Sequence, residues 1–262
     1  MKKVLSLFLV LIFAVFLFTG CKSDSEDDII IPTISTDKMA NPSSVTPTIG
    51  DTPKPVSEGF FDNTIFVGDS ITLGLQNYTM NERNNGNECL GKAEFLCSGS
   101  LSFYNSMWDK DDPNNVHPYF NGTQYTVVEG VAALQPERLF IKLGTNDLGM
   151  SGVDGTMEDA KKLFDLILDA KPDVLIYIEA VTPILESGEV GSLNNENIRL
   201  LNTKLKELCD EKGWRFIDLY TPLADENGYL IREYCGDPDG MGIHIMGDGY
   251  KIWVDTIEQN AG

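Results

Sequence analysis

The chain has 262 residues, with 20 Lys and Arg against 40 Asp and Glu, for a formal net charge of −20. So acidic a surface argues against nucleic acid or anionic lipid headgroups as partners held by charge. The length allows one domain of moderate size plus attachments, and two distant histidines with no Cys–His cluster argue against a catalytic zinc site.

The first element is a leader. "MKKVLSLFLVLIFAVFLFTGC" has a basic start at Lys2 and Lys3, an apolar run, and small residues at Thr19 and Gly20 just before Cys21. The run is about 15 residues, shorter than the roughly 20 a spanning helix needs, so residues 1–20 read as a secretory signal. The ending "FTGC" resembles the lipobox of bacterial lipoproteins, with Phe18 where leucine is usual. That resemblance implies lipidation at Cys21 and anchoring to the outer face of the bacterial cytoplasmic membrane, with the lipid as the only membrane contact. An ordinary leader cut near a cysteine is the alternative. Residues 21–59 are rich in Ser, Thr, Pro and Asp and read as a flexible tether. The folded domain is expected over 60–262, beginning near Phe60.

Within the domain, short apolar runs alternate with helical patterns. "TIFVG" (64–68), "EFLCSG" (94–99), "RLFIKLG" (138–144), "DVLIYIEAV" (173–181) and "RFIDLY" (215–220) read as strands. Helices are predicted over Met157 to Ala170 and Asn195 to Lys212, and a last one carries Tyr250, Trp253, Val254 and Ile257 on one face. Strands separated by helices imply a three-layer α/β/α sandwich around a parallel sheet of about five strands, with active groups at the C-terminal strand ends. Asn105 to Gln124 breaks the rhythm and reads as a long surface loop. That segment and "NERNNGNE" (81–88) are expected to wall the substrate cleft. Cys89 and Cys97 would close a short disulfide loop in an exported protein; free buried thiols fit equally well among Cys89, Cys97, Cys209 and Cys235.

Three strand ends carry candidate chemistry. In "FVGDSIT" a strand ends at Gly68 and Ser70 stands on the turn into a helix, its hydroxyl and its own N–H facing one space. In "KLGTNDLG", Gly144 would let the backbone approach a ligand, and Asn146 offers an amide to a developing oxyanion. In "CSGSLS", Gly99 offers a backbone N–H. Taken singly these are a helix cap, a turn and a loop glycine. A serine mechanism needs a histidine. His244, in "GMGIHIMGDGY", precedes the last helix, while His117 lies in the irregular 105–124 segment. No G-x-S-x-G elbow is present, and "GNECLGKA" has Ala93 where a phosphate loop needs Ser or Thr.

"GDS", a loop glycine, "GTND" and a C-terminal histidine before a "GY" helix, in that order, resemble the SGNH (GDSL-type) hydrolases over about residues 62–258. The resemblance implies a flavodoxin-like fold, Ser70 as nucleophile, His244 as general base, and an oxyanion hole of the Ser70 and Gly99 N–H groups with the Asn146 amide. It implies no metal or cofactor. The family's acid usually stands three residues before the histidine, and here that position is Met241. Asp239 is expected to take its place if Gly240 or Gly242 loops out. Asp237 is the second candidate, and a backbone carbonyl completing a Ser–His dyad is the third. The implied activity is extracytoplasmic hydrolysis of O-acyl esters, with deacetylation of a carbohydrate by a monomer as the specific expectation. A lysophospholipase-like activity, or an inactive surface module that binds acylated glycans, are the alternatives.

Overall fold

The computed structural model describes residues 53–262. The leader, Cys21 and the tether as far as residue 52 lie outside the described residues. In chain order the elements are β1 (Thr64–Gly68), α1 (Ser70–Asn84), β2 (Glu94–Cys97), β3 (Tyr119–Phe120), β4 (Thr123–Gln124), α2 (Val127–Leu134), β5 (Arg138–Lys142), α3 (Thr145–Ala170), β6 (Leu175–Glu179), α4 (Asn195–Lys212), β7 (Arg215–Ile217) and α5 (Asp248–Asn260).

Five strands form one parallel sheet in the order β2-β1-β5-β6-β7, and β3 and β4 pair as a separate small hairpin. With the hairpin set aside, this is the flavodoxin-like order, in which the chain leaves β1 toward one neighbour and later returns to the other side. The crevice at that reversal lies between the C-terminal ends of β1 and β5. The predicted α/β/α sandwich and its parallel sheet are therefore present.

Register explains why the sheet is so firm there. Phe66 pairs with Phe95 on one side and Phe140 on the other, and Phe140 pairs with Tyr177. Their rings stack across four strands at centroid distances of 5.3, 4.7 and 4.3 Å. Such pairs contribute about 0.5–1.5 kcal/mol each beyond their burial. Two residues further along the same face, the next row contains Cys97, Gly68 and Lys142. A Cβ on Gly68 would come within 2.0 Å of the Thr72 hydroxyl and 2.8 Å of the Lys142 carbonyl, so glycine is what lets α1 start against the sheet.

Two elements differ from the sequence expectation. The helix predicted from Met157 starts at Thr145, because the turn after β5 goes straight into helix; a break at Gly152, with φ of 63°, joins the two stretches. α2 was not foreseen, although its signal is in the chain: Thr126 and Glu129 form a capping box, each side chain accepting the other residue's backbone N–H. The 105–124 segment is ordered by its own bonds, with a single 3₁₀ turn at Asn105–Met107 and the β3–β4 hairpin. All four cysteines of the described domain are free and buried, so the Cys89–Cys97 disulfide is not formed. Cys89 donates to Thr79 and Cys97 to Gln76 instead.

Candidate active site

Ser70 is the first residue of α1, two beyond the last paired residue of β1. Asp69 caps the helix, its carboxylate accepting the Ile71 N–H at 3.0 Å. Capping through Ile71 leaves the Ser70 N–H, at the positive end of the helix, without an acceptor among the described residues. Gly99 stands two residues beyond β2, and its N–H is likewise without an acceptor there. A Cβ at Gly99 would meet nothing within 4 Å. That space is open for a ligand.

Asn146 follows β5 on the first turn of α3. Its amide nitrogen donates to the Leu101 carbonyl at 2.9 Å, which ties the turn after β5 to the loop after β2. One amide hydrogen remains for another acceptor. Asp147, beside it, is fully buried and accepts the backbone N–H groups of Phe103 and Tyr104, both at 3.1 Å. Burial pushes its carboxyl up to about 6 against the pull of those two bonds. Gly144 serves packing and not a ligand: with φ of 123°, a Cβ there would lie 2.9 Å from both Leu201 and Val181.

The histidine comes from an irregular segment. Cys235 and Ile245 form an isolated antiparallel bridge, and Gly236 donates to the His244 carbonyl at 2.8 Å. Between them the chain loops out, closed by the Gly240 and Gly242 N–H groups on the Asp237 carbonyl. His244 Nε2 lies 3.0 Å from Ser70 Oγ, a contact across 174 residues of sequence. His244 Nδ1 lies 2.8 Å from Asp237 Oδ2, while Asp237 Oδ1 accepts the backbone N–H groups of Ile243 and His244 at 3.1 and 3.0 Å.

The acid expected at Asp239 is therefore corrected to Asp237. The looped-out residues are Pro238 to Gly242, so the bridge at Cys235 brings Asp237 under the imidazole and leaves Asp239 at the tip. Asp239 is 96% exposed there, and faces Arg232 at 3.5 Å. Burial works to raise the Asp237 carboxyl, but the bonds from the His244 ring and backbone outweigh it and hold it below the ordinary carboxylate range. An ionised Asp237 only accepts, which puts the imidazole proton on Nδ1 and leaves Nε2 to receive the Ser70 hydroxyl proton. His117 takes no part. It is buried, with Nε2 donating to the Trp108 carbonyl at 3.0 Å.

A cleft of about 620 Å³, wide open to solvent, holds Ser70 and His244. Its walls are Gly74, Asn77 and Tyr78 of α1 and, opposite, Ile245, Met246, Gly247 and Tyr250. Neither 81–88 nor 105–124 lines this cleft beside Ser70 and His244; α1 lines it as far as Tyr78 and carries 81–84 away. Tyr250 joins the two walls by donating to the Ile71 carbonyl at 3.0 Å.

Beneath the turns lie charged groups that the sequence reading missed. Lys142 is completely buried and its ammonium donates to Asp69 at 3.2 Å and to Thr145 at 3.1 Å. Burial lowers the Lys142 pKa, with Asp69 opposing. Glu179, also fully buried, accepts from Trp253 Nε1 of α5 at 2.7 Å, and burial pushes its carboxyl up to about 8. The signal was available: in "FIKLG" and "IYIEA" a single charge interrupts each apolar strand at its C-terminal end.

Comparison with known proteins bears on the family and the fold. The model of the GDSL-like Lipase/Acylhydrolase family matches residues 66–252. A multidomain esterase of Ruminococcus flavefaciens is 22% identical over 219 residues, which is 73% of this chain but 28% of that protein. The chain thus spans about a quarter of the length of that curated relative. A GDSL-like lipase from Bacteroides thetaiotaomicron superposes with a TM-score of 0.50 at 20% identity, covering 74% of this chain and 85% of its own. A protein of Bacteroides fragilis assigned as an acylhydrolase gives 0.52 at 20% identity, covering 79% and 89%. At these identities the two structures establish likeness of fold.

Proposed function

The chain belongs to the GDSL-like lipase/acylhydrolase family, and from that premise we propose that it is a serine esterase cleaving O-acyl esters through an acyl-serine intermediate. The observation that carries this reading is the line from Ser70 through His244 to Asp237, at 3.0 and 2.8 Å. His244 Nε2 takes the Ser70 proton as Oγ attacks the ester carbonyl. The carbonyl electrons move onto oxygen, and the Ser70 and Gly99 N–H groups with the free Asn146 amide hydrogen hold the oxyanion. As the tetrahedral species collapses, the bond to the alcohol oxygen breaks and His244 returns the proton to it. Water, deprotonated by the same nitrogen, then attacks the acyl-serine and releases the acid. Asp237 keeps the proton on Nδ1 and stabilises the imidazolium in both steps.

The substrate we propose is an acetylated carbohydrate, reached from the outer face of the cytoplasmic membrane through a lipid on Cys21. Three features support it. The leader ends in a lipobox-like cysteine. The charge of −20 disfavours anionic headgroups. The cleft is wide open to solvent, which suits a bulky alcohol better than a long acyl chain enclosed in a tunnel. The contact between Asp237 and His244 supports turnover over an inactive binding module.

The test is initial rates on p-nitrophenyl acetate, octanoate and palmitate, for the protein and its Ser70→Ala variant. Acetate should be hydrolysed fastest, and Ser70→Ala should lose at least about 10⁴ in turnover. A preference for palmitate would move the reading to a lysophospholipase-like enzyme. A folded protein inert on all three would bring the glycan-binding module to the front.

A further inference from the structure

We propose that Lys142 is a positioning residue, whose buried ammonium bridges the turn that carries Ser70 to the turn that carries Asn146 and so sets the distance between nucleophile and oxyanion donor. This rests on the esterase reading above. Lys142 is the last residue of β5 and has no exposed surface, and its two partners, Asp69 and Thr145, are 1% and 2% exposed. Its Nζ lies 3.3 and 3.2 Å from the two Asp69 oxygens and 3.1 Å from Thr145 Oγ1. Asp69 immediately precedes Ser70, and Thr145 immediately precedes Asn146. One ammonium therefore holds the residue next to each of two catalytic groups on neighbouring strands.

Packing alone accounts poorly for a lysine here. A buried ion pair seldom repays its desolvation, and an apolar side chain of the same volume serves a core equally well. The row below on the same face is aromatic and filled, so the sheet has no need of a charge to close it. What the lysine adds is direction: its donors fix the Asp69 carboxylate in the orientation that accepts from Ile71 and leaves the Ser70 N–H free. Glu179, at the end of β6, accepts from Trp253 Nε1, so the helix that follows His244 is anchored to the neighbouring strand.

The test uses three variants, with p-nitrophenyl acetate kinetics and ¹H–¹⁵N spectra of the Ser70 backbone amide and the Asn146 side-chain amide. Lys142→Met cuts both ends of the bridge and should lower kcat by roughly 10²-fold with KM within about twofold, as expected for a small displacement of a preorganised site. Thr145→Val cuts one end, is close in volume, and leaves the ion pair. It should lower kcat by roughly tenfold and shift the Asn146 amide resonances. Thr145→Ser keeps the hydroxyl and should recover the wild-type kcat. If Lys142→Met does not fold, Thr145→Val decides. Wild-type kcat and unmoved Asn146 resonances in folded Thr145→Val would overturn the bridge, as would a Thr145→Ser that fails to recover. Should the wild type hydrolyse no ester, the esterase reading falls, and the bridge is judged on the spectra alone, where unmoved resonances in both cutting variants would sink it.

Discussion

Ser70, Gly99 and Asn146 stand two to four residues beyond the last residues of three adjacent paired strands. His244 and Asp237 stand on a turn that belongs to no strand of that sheet. The first group is placed by the sheet ladder and by the aromatic stack below it. The second is placed by a handful of bonds, most of them to one carboxylate: Asp237 accepts from Ile243, from the His244 backbone and from the His244 ring. Where a sheet fixes position, the ladder, the aromatic stack and the buried Lys142 share the geometry, and none of them does the chemistry. Where a turn does so, one side chain is both scaffold and chemistry.

The comparison can be broken first at Asp237. Asp237→Asn should lower kcat by about 10⁴-fold, because the amide can donate to Nδ1 and reverse the tautomer. Asp239→Asn, at the exposed tip, should stay within about twofold. Equal losses in steady-state assays of the two variants would contradict the assignment of the acid. Asn146→Ala comes next. It should cost roughly 10²–10³-fold in kcat for the lost oxyanion donor, with KM little changed, and a fall in KM affinity alone would assign Asn146 to ground-state binding.

Smaller effects sharpen the contrast on the stability side. Burial pushes the Glu179 carboxyl up to about 8, well above the ordinary carboxylate range. Between the two the folded state binds the extra proton, so its contribution to stability is full at low pH and is lost as pH rises. Urea unfolding should show Glu179→Gln gaining on the wild type by about 2 kcal/mol between about pH 5 and about pH 7. A gap that does not grow with pH would mean Glu179 ionises normally. Gly74→Ala is expected to cost about 1–3 kcal/mol, because its Cβ would lie 1.8 Å from the Tyr250 hydroxyl. That substitution also breaks the bond from Tyr250 to Ile71, so turnover should fall with thermal stability, and an unchanged melting temperature would show that the walls can part freely.

The same contrast governs what could be read from the sequence. Strand ends announce themselves, since "TIFVG" and "RLFIKLG" are apolar runs closed by glycine, and the serine and asparagine follow at once. Their register follows from the sheet, so the places of Ser70, Gly99 and Asn146 at three strand ends were legible. The acid was not, because spacing along a chain says nothing about which residues a turn expels. Only the Cys235–Ile245 bridge and the two bonds to the Asp237 carbonyl decide that Pro238 to Gly242 loop out. Lys142 and Glu179 were visible as charges in apolar strands, but their meaning depends on Asp69, Thr145 and Trp253, which come from three other segments. The place of "NERNNGNE" was hidden for a related reason: its first half is the end of α1, which leads away from Ser70.

The described chain starts and ends at one pole of the domain. The Val56 N–H donates to Glu258, the Gly262 N–H donates to Lys54, and Arg215, at the start of β7, reaches the Gly262 carbonyl. That pole is the edge where the parallel strands begin, and the cleft opens at the edge where they end. The described residues therefore begin on the side of the sheet opposite Ser70, with the full depth of the sheet between Pro53 and the cleft.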